Sequence, residues 1–219
     1  QLLAEACLAT GVQTLVFLST SAVYGKGPFK NIAEDTTPQP KTPYAVSKAT
    51  SENYLQTLNG RIPKLVVLRP SLVFGEGDRG NMLSLIKQVQ KEEYVHVSGG
   101  VTPKSLIYAN DLADAILLAA ARAPQGFNIY NIANPEPVST KELVDTIAEV
   151  LGVTKKFPSV PEGLLKIGAG IARTFMPGKV PVTPEQIEKL ATETTCSIGK
   201  FVQATGFKPS TDLKSAISK

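Results

Sequence analysis

The 219 residues have an ordinary globular composition, with 42% hydrophobic residues and a formal net charge of +4. The 23 basic and 19 acidic residues are interspersed, so neither nucleic acid nor a membrane is indicated as a partner, and a mildly basic surface suits an anionic small molecule. One histidine and two distant cysteines, Cys7 and Cys196, make a protein metal site unexpected. No apolar stretch reaches about 18 residues and no charged-then-apolar leader is present, so we expect a cytoplasmic protein.

Hydrophobic runs and turn residues predict an alternation of helices and strands along the chain. The strand–helix–strand order between residues 14 and 69 predicts a right-handed βαβ unit with parallel strands. The predicted elements are a helix at 1–10, a strand at 14–20, a helix from Pro43 to Gly60, a strand at 64–69, a helix at 81–92, strands at 94–97 and 105–108, a helix at 111–122 capped by Asn110, a strand at 127–133, a helix capped by Ser139 and Glu142 that ends at Gly152, an apolar helix at 164–176 and a helix capped by Thr183.

Tyr44 and Lys48 are the most informative residues of the chain. They stand four apart at the start of a predicted helix, so their side chains lie on the same helical face. A lysine held beside a tyrosine favours the phenolate, and such a pair can move the proton of a substrate hydroxyl as a general acid/base. Tyrosine and lysine are common on helix surfaces, so the weight of this pair comes from the segments around it.

Three segments meet at one edge of the predicted sheet. One strand ends in Ser-Thr-Ser-Ala-Val-Tyr-Gly at 19–25, another ends in Leu-Arg-Pro-Ser-Leu-Val-Phe-Gly at 68–75, and Tyr44 opens the helix between them. Ligands of open α/β sheets bind beyond the carboxyl ends of the strands. A hydroxyl on the first segment can therefore hydrogen-bond a substrate oxygen, Tyr44 can exchange a proton with that oxygen, and the backbone after Arg69 and Pro70 can face a flat cofactor ring.

In this order and spacing the segments resemble the extended short-chain dehydrogenase/reductase superfamily, in its NAD-dependent epimerase/dehydratase family of UDP-glucose 4-epimerase-like proteins. The resemblance runs over essentially the whole chain, because residues 108–115, 130–143 and 206–213 are also similar to segments of that family. It implies an α/β fold, with a Rossmann-type doubly wound parallel sheet and a smaller interleaved α/β substrate-binding domain.

The resemblance also implies a division into domains. Residues 1–74 are expected to form the second half of the dinucleotide-binding domain, and 75–219 mainly the substrate-binding domain, with 105–152 partly returning to the first. No GxGxxG or GxxGxxG precedes the first strand and the chain starts on a helix without Met, so we expect the N-terminal half of the Rossmann domain to be missing. These 219 residues alone are then expected to bind the cofactor weakly, to be inactive and to expose the strand edge at 14–20.

Carried over residue by residue, the resemblance implies a site and its ligands. It implies NAD or NADP as the cofactor and a nucleotide sugar as the substrate. No metal is expected, and the full-length protein is expected to be a homodimer. The implied catalytic residues are Thr20, Tyr44 and Lys48; the implied cofactor-binding residues are Ser19, Tyr44, Lys48, Pro70, Ser71 and Val73; the implied substrate-binding residues are Ser21, Asn81 and Lys104.

Two departures from the family pattern bear on the reaction and the substrate. Ser21 and Ala22 stand where dehydratases carry Asp and Glu, which disfavours elimination of water. Leu72 stands where many sugar-nucleotide enzymes carry Asn, which keeps open a dehydrogenase or reductase of a steroid- or flavonoid-like alcohol or ketone. A third alternative is a non-catalytic, cofactor-sensing or scaffold protein on the same fold.

Overall fold

The structure, a computed structural model, describes residues 1–78, 80–167 and 184–218, with the backbone alone at residues 81 and 184–186. The chain divides into two compact units, each built from several segments. The first unit comprises Gln1–Phe74, Ser105–Glu136 and Thr195–Thr211, and the second comprises Gly75–Lys104, Pro137–Thr194 and Asp212–Lys219. That the first unit binds a dinucleotide and the second a substrate stays a prediction.

The helices and strands of the described residues alternate along much of the chain. They are α1 (Leu2–Ala9), β1 (Thr14–Leu18), β2 (Phe29–Ile32), α2 (Pro43–Gln56), β3 (Lys64–Pro70), β4 (Leu72–Phe74), α3 (Asn81–Gln90), β5 (His96–Val97), β6 (Pro103–Lys104), β7 (Leu106–Tyr108), α4 (Ala109–Arg122), β8 (Gly126–Ile132), β9 (Val138–Ser139), α5 (Thr140–Leu151), β10 (Ser159–Val160), α6 (described at 162–167), α7 (Pro184–Ala191), β11 (Thr194–Cys196), α8 (Gly199–Thr205) and α9 (Leu213–Ile217), with 3-10 turns at Ser21–Tyr24 and Ser98–Gly100.

A parallel sheet in the order β1–β3–β8 forms the centre of the first unit. The middle strand, β3, is buried along its whole length, as its uninterrupted apolar sequence predicts. Helix α2 connects β1 to β3, so the predicted βαβ arrangement and the α/β fold class are confirmed. Alternate residues of β3 face opposite sides of the sheet. One side packs in a cluster with Tyr130, Phe201 and Phe207, and the other packs in a cluster with Ala4, Cys7 and Leu55.

Two local expectations are wrong. Residues 29–32, which lie between the predicted strand at 14–20 and the predicted helix from Pro43, form the unpredicted strand β2, which lies beside β11. A strand of four residues in a polar, proline-rich stretch is too short to show a periodic signal. Asn110 does not cap α4, because the helix begins at Ala109, two residues earlier than predicted, and has Tyr108 at its N-cap without a side-chain capping bond. The chain passes from β7 into α4 with no intervening loop, so no position is left for a polar cap.

The N-cap of α5 at Ser139 is confirmed. Ser139 Oγ accepts a hydrogen bond from the backbone N of Glu142 at 3.0 Å, and the helix ends at Gly152, whose φ of 69° is the left-handed conformation expected of a helix-terminating glycine. The predicted cap at Thr183 and most of the apolar segment 164–176 lie outside the described residues.

The second unit is built around helix α5, which packs against α3 and α9. Strand β5 pairs in parallel with β10, and β6 pairs antiparallel with β9. Across the described ranges of both units, no helix has the length and apolar character needed to cross a membrane, and no three His, Cys, Asp or Glu side chains gather closely enough to hold a metal ion.

The only histidine of the chain is buried in the second unit. The His96 ring meets the edges of Tyr94 and Phe157 at centroid distances of 5.0 and 6.4 Å. A Cβ at Gly100 would lie 2.7 Å from His96 Nδ1, so a side chain at that position would collide with the imidazole. Burial lowers the pKa of His96, against the opposing effect of Asp145, and the imidazole is therefore neutral in the folded unit at neutral pH.

This lowered pKa predicts a loss of stability in mild acid. In the unfolded chain, His96 is protonated below about pH 6.5. In the folded unit, His96 is protonated only when the pH falls below its lowered folded-state pKa. The free energy of unfolding should therefore decrease below about pH 6.5, by at most about 1.4 kcal/mol per pH unit from this group. Urea unfolding at pH 7.5 and 5.5 measures the effect. His96→Gln removes the titration, and an identical pH dependence in wild type and variant would refute this origin.

Candidate active site

The side chain of Lys48 connects helix α2 to the end of β1. Its Nζ donates a hydrogen bond to the backbone O of Leu18 at 2.8 Å and lies 5.0 Å from the centre of the Phe17 ring. The same ammonium lies 5.9 Å from the centre of the Tyr44 ring, one helical turn earlier, as the spacing of four predicts. A positive charge fixed here can stabilise an anionic oxygen beside Tyr44.

Tyr44 lies in the first turn of α2 and is open to ligands. The helix start is set by Pro43 at its first position and by Thr42, whose Oγ1 accepts a hydrogen bond from the backbone N of Ala45 at 3.2 Å. Tyr44 is 58% exposed, which is unusual for a tyrosine that only packs. The local sequence therefore presents the phenol to solvent while Lys48, one turn later, ties the helix to the sheet.

Thr20 follows the carboxyl end of β1 in extended backbone. It caps the 3-10 turn Ser21–Tyr24, since its Oγ1 accepts a hydrogen bond from the backbone N of Ala22 at 3.2 Å. That bond uses the oxygen as an acceptor and leaves the hydroxyl hydrogen for a ligand. Ser21 is half-buried in the same turn. That Thr20 and Tyr44 bind one substrate oxygen stays a prediction.

A buried ion pair lies behind this strand end, and the sequence indicated no role for it. Arg69 and Glu52 side chains are 3% and 4% exposed, and Arg69 Nη2 lies 2.6 Å from Glu52 Oε2. Arg69 Nε also donates to both carboxylate oxygens, at 3.1 and 3.2 Å. The hydroxyl of Ser19 donates to Glu52 Oε1. The Ser19 hydroxyl is therefore engaged inside the protein, and the predicted contact of Ser19 with the cofactor stays a prediction.

The ion pair continues into a network that reaches β8. Arg69 Nη1 donates to Tyr24 Oη at 2.9 Å, and Tyr24 in turn donates to Asn131 Oδ1 at 2.8 Å. The backbone N of Asn131 donates to Glu34 Oε1 at 2.9 Å. Burial raises the pKa of Tyr24, although Arg69 opposes this, so the phenol remains a protonated donor. Tyr24 thus links the 3-10 turn to the sheet.

Residues at the end of β3 offer groups that a cofactor can use. Pro70 is buried at the strand end, and the backbone N of Ser71 donates to Ile132 O at 2.9 Å. Ser71 is 9% exposed, and its Oγ finds no hydrogen-bond partner in the part of the chain that the structure describes. A buried hydroxyl without a partner costs free energy, so this group suits a polar ligand atom. Val73 follows in β4 and is 37% exposed.

Lys104 is engaged in the second unit as a helix cap. Its Nζ donates to the backbone O of Lys189 at 2.7 Å and to that of Thr192, both at the C-terminal end of α7. Burial lowers the pKa of Lys104 to about 8. Its predicted contact with a diphosphate stays a prediction, and it would compete with this cap. Asn81 opens α3 in the same unit, where the structure describes its backbone only.

Comparison with known proteins places these features in one family. The model of the NAD dependent epimerase/dehydratase family matches residues 1–133. An N-acetyl-alpha-D-glucosaminyl-diphospho-ditrans,octacis-undecaprenol 4-epimerase from Escherichia coli O157:H7 is 30% identical over 162 residues, which cover 71% of this chain and 48% of the relative. A 3beta-hydroxysteroid-dehydrogenase/decarboxylase from Arabidopsis thaliana is 25% identical over an alignment of 237 residues, covering 98% of this chain and 54% of the relative.

A solved structure agrees with this result. The UDP-glucose 4-epimerase of Thermus thermophilus, in complex with NAD, is 26% identical and superposes with a TM-score of 0.68 over 98% of this chain and 64% of its own. The chain spans about half the length of the curated relatives it matches. The Rossmann-type fold class and the resemblance seen in the sequence are thus confirmed, and the chain belongs to the NAD dependent epimerase/dehydratase family.

Proposed function

We propose that the protein containing this chain is an NAD(P)-dependent epimerase or ketoreductase that acts on a nucleotide-activated sugar. The observation that carries the proposal is the position of the Lys48 ammonium, 2.8 Å from Leu18 O at the strand end and 5.9 Å from the centre of the Tyr44 ring. Membership of the family supports the class of reaction. A UDP-glucose 4-epimerase among the relatives supports the substrate class.

The residues at the sheet edge fit a nicotinamide cofactor. Lys48 Nζ donates one hydrogen bond to Leu18 O, and its two other hydrogens are available to donate to ribose hydroxyls. The Ser71 hydroxyl, which has no hydrogen-bond partner among the described residues, and the backbone of residues 70–73 are available for the nicotinamide amide. When bound, the cofactor supplies acceptance and return of a hydride.

The chain's own residues supply position and proton transfer. Thr20 donates a hydrogen bond to the substrate oxygen, and Tyr44 takes the proton of the same hydroxyl as general base. Oxidation of a secondary alcohol would break its O–H and C–H bonds: Tyr44 would take the proton, a bound cofactor would supply acceptance of the hydride, and a ketone would remain. Lys48 stabilises the charge that develops beside Tyr44.

The direction of hydride return decides the outcome. Return of the hydride to the opposite face of the ketone would give the epimer, with Tyr44 giving the proton back to the oxygen. A substrate that arrives as a ketone is simply reduced. Elimination of water would need an additional acid and base, and Ser21 and Ala22 supply neither.

We also propose that the full-length protein is a homodimer, which sedimentation equilibrium tests.

A second candidate function has support from an apolar surface. Leu72 and Val73 are 40% and 37% exposed just beyond the end of β3, where an Asn would favour a sugar. This favours a steroid- or flavonoid-like alcohol or ketone, and the relatives include a hydroxysteroid dehydrogenase. A non-catalytic, cofactor-sensing protein remains the third candidate, but Thr20, Tyr44 and Lys48 are all present.

Substrate turnover by the full-length protein separates these candidates. In one set of reactions, purified protein is incubated with NAD and a panel of UDP-hexoses, and proton NMR detects the epimer. In a parallel set, it is incubated with NADPH and steroid or flavonoid ketones, and the loss of NADPH absorbance is followed. Interconversion of a UDP-hexose supports the proposal. Turnover of the apolar ketones alone would favour the dehydrogenase or reductase of a steroid- or flavonoid-like substrate. Cofactor binding without any turnover would favour the non-catalytic, cofactor-sensing protein.

A further inference from the structure

Three residues of α2 form one stripe along the helix. Tyr44, Lys48 and Glu52 are spaced by four, so they project from successive turns of the same side. Two of them bind the end of β1: Lys48 Nζ donates to Leu18 O at 2.8 Å, and Glu52 Oε1 accepts from the Ser19 hydroxyl. Successive turns of the helix are thus bonded to successive residues of the strand.

These two bonds end on the residues directly before Thr20. A helix advances about 1.5 Å per residue, so a slip of α2 by one residue would displace Tyr44 by about that distance from the strand end. A displacement of about 1 Å in a catalytic site can lower the rate about 100-fold. Two points of attachment oppose both sliding and rotation of the helix, which one bond cannot do.

Arg69 holds the other side of the same segment. It neutralises Glu52 and donates to the phenol of Tyr24, whose ring centre lies 4.9 Å from the Arg69 guanidinium carbon. Tyr24 ends the 3-10 turn that Thr20 begins. The Thr20 segment is therefore held before the turn through Ser19 and after it through Tyr24, and both attachments lead to one buried ion pair.

We propose that Glu52 and Arg69 are positioning residues that hold the Thr20 segment in register with Tyr44 on α2. Their side chains are 4% and 3% exposed, which keeps them from the substrate, and they act through Ser19, Tyr24 and the helix. This inference rests on the proposed function, since the register matters to turnover only if Thr20 and Tyr44 act on one substrate oxygen.

Ser19→Ala tests the inference with the least disturbance, because the Glu52 carboxylate keeps its Arg69 partner. In the full-length protein, kcat should fall about 10- to 100-fold with KM for the sugar and for the cofactor changed less than about twofold. A deuterium isotope effect on kcat should increase, because the hydride step becomes slower. Ser19→Thr keeps the hydroxyl and should restore most of the rate. Ser51→Ala is the matched control: it removes a hydrogen bond from Ser51 Oγ to Ser47 O on the same helix and should leave kcat unchanged.

A double variant tests the inference in a protein that is expected to remain folded. Glu52→Leu combined with Arg69→Met replaces the ion pair with apolar side chains of similar length, a change that buried pairs often tolerate. It should fold yet lose about 100-fold or more in kcat. Wild-type kcat in this folded double variant would overturn the inference. So would a Ser19→Ala variant that weakens cofactor binding at unchanged kcat, because Ser19 would then be a cofactor contact.

A crystal structure of the Ser19→Ala protein provides a readout that does not depend on turnover. The inference expects α2 to shift along β1, with the distance from Lys48 Nζ to Leu18 O increased from 2.8 Å. An unshifted helix would overturn the inference even if the wild type is active. An inactive wild type with a shifted helix in the variant would count against the proposed function and leave the positioning role supported.

Discussion

Replacing Tyr44 with phenylalanine is expected to lower turnover about 100- to 10,000-fold in the full-length protein while leaving it folded. The substitution removes the oxygen that carries the proton and keeps the ring that lies 5.9 Å from the Lys48 ammonium. Because Tyr44 is 58% exposed at the start of α2, the change removes little packing and should cost little stability. Initial rates on a substrate from the proposed panel that the wild type turns over, together with thermal unfolding, measure both effects.

Tyr54→Phe is the matched control for this experiment. Tyr54 lies on the same helix, ten residues after Tyr44, and packs against the apolar cluster that contains Leu55 and Leu58. It should retain nearly full turnover. If Tyr44→Phe also turned over at close to the wild-type rate, Tyr44 would not be the proton carrier.

Replacing Phe201 with alanine is expected to produce the largest loss of stability, about 3–5 kcal/mol. Phe201 is completely buried, and its ring centre lies 5.3 Å from that of Tyr130 on β8 and 5.3 Å from that of Phe207. The shortened side chain would leave a cavity between α8 and the sheet that carries the site. Urea denaturation of wild type and variant measures the loss.

Val202→Ala, at the next position of α8, provides the comparison. Val202 is 37% exposed, so its truncation should cost less than about 1 kcal/mol. A Phe201→Ala variant no less stable than Val202→Ala would mean that this cluster does not hold the first unit together.

The parts of the candidate site that depend on local sequence could be predicted from the sequence. The pairing of Tyr44 with Lys48 follows from helical periodicity, and the buried run before Arg69 predicted β3 to within one residue at its end. Both features require only neighbours within one helix or one strand, so a single segment contains the whole signal.

The supports of the site depend on contacts between distant segments and could not be predicted in the same way. Glu52 is an ordinary helix residue by sequence, and an arginine in an apolar strand only suggests a buried partner without naming it. Their pairing appears once α2 crosses over the sheet. Ser19 is an example: the resemblance implies that it binds the cofactor, but the bond from its hydroxyl to Glu52 joins residues 33 positions apart and could not be expected from the sequence.

Lys104 shows the same limit in the second unit. The resemblance assigned its charge to a diphosphate from its place in the sequence. The carbonyls that its ammonium binds come from Lys189 and Thr192, more than 80 residues further along the chain. A pattern around Lys104 has no information on where the C-terminal end of α7 lies, so this cap could not be expected.

The central claim is that Tyr44 and its neighbours support transfer of a hydride from the substrate to the cofactor and back. The most direct test uses a nucleotide hexose deuterated at the carbon that epimerises, incubated with the full-length protein and NAD, and mass spectrometry of the epimer. We predict that the epimer retains the deuterium at that carbon, and that Tyr44→Phe forms it at least about 100-fold more slowly. An epimer that has exchanged its deuterium for solvent hydrogen would contradict the claim, because the C–H bond would then break by proton abstraction and not by hydride transfer.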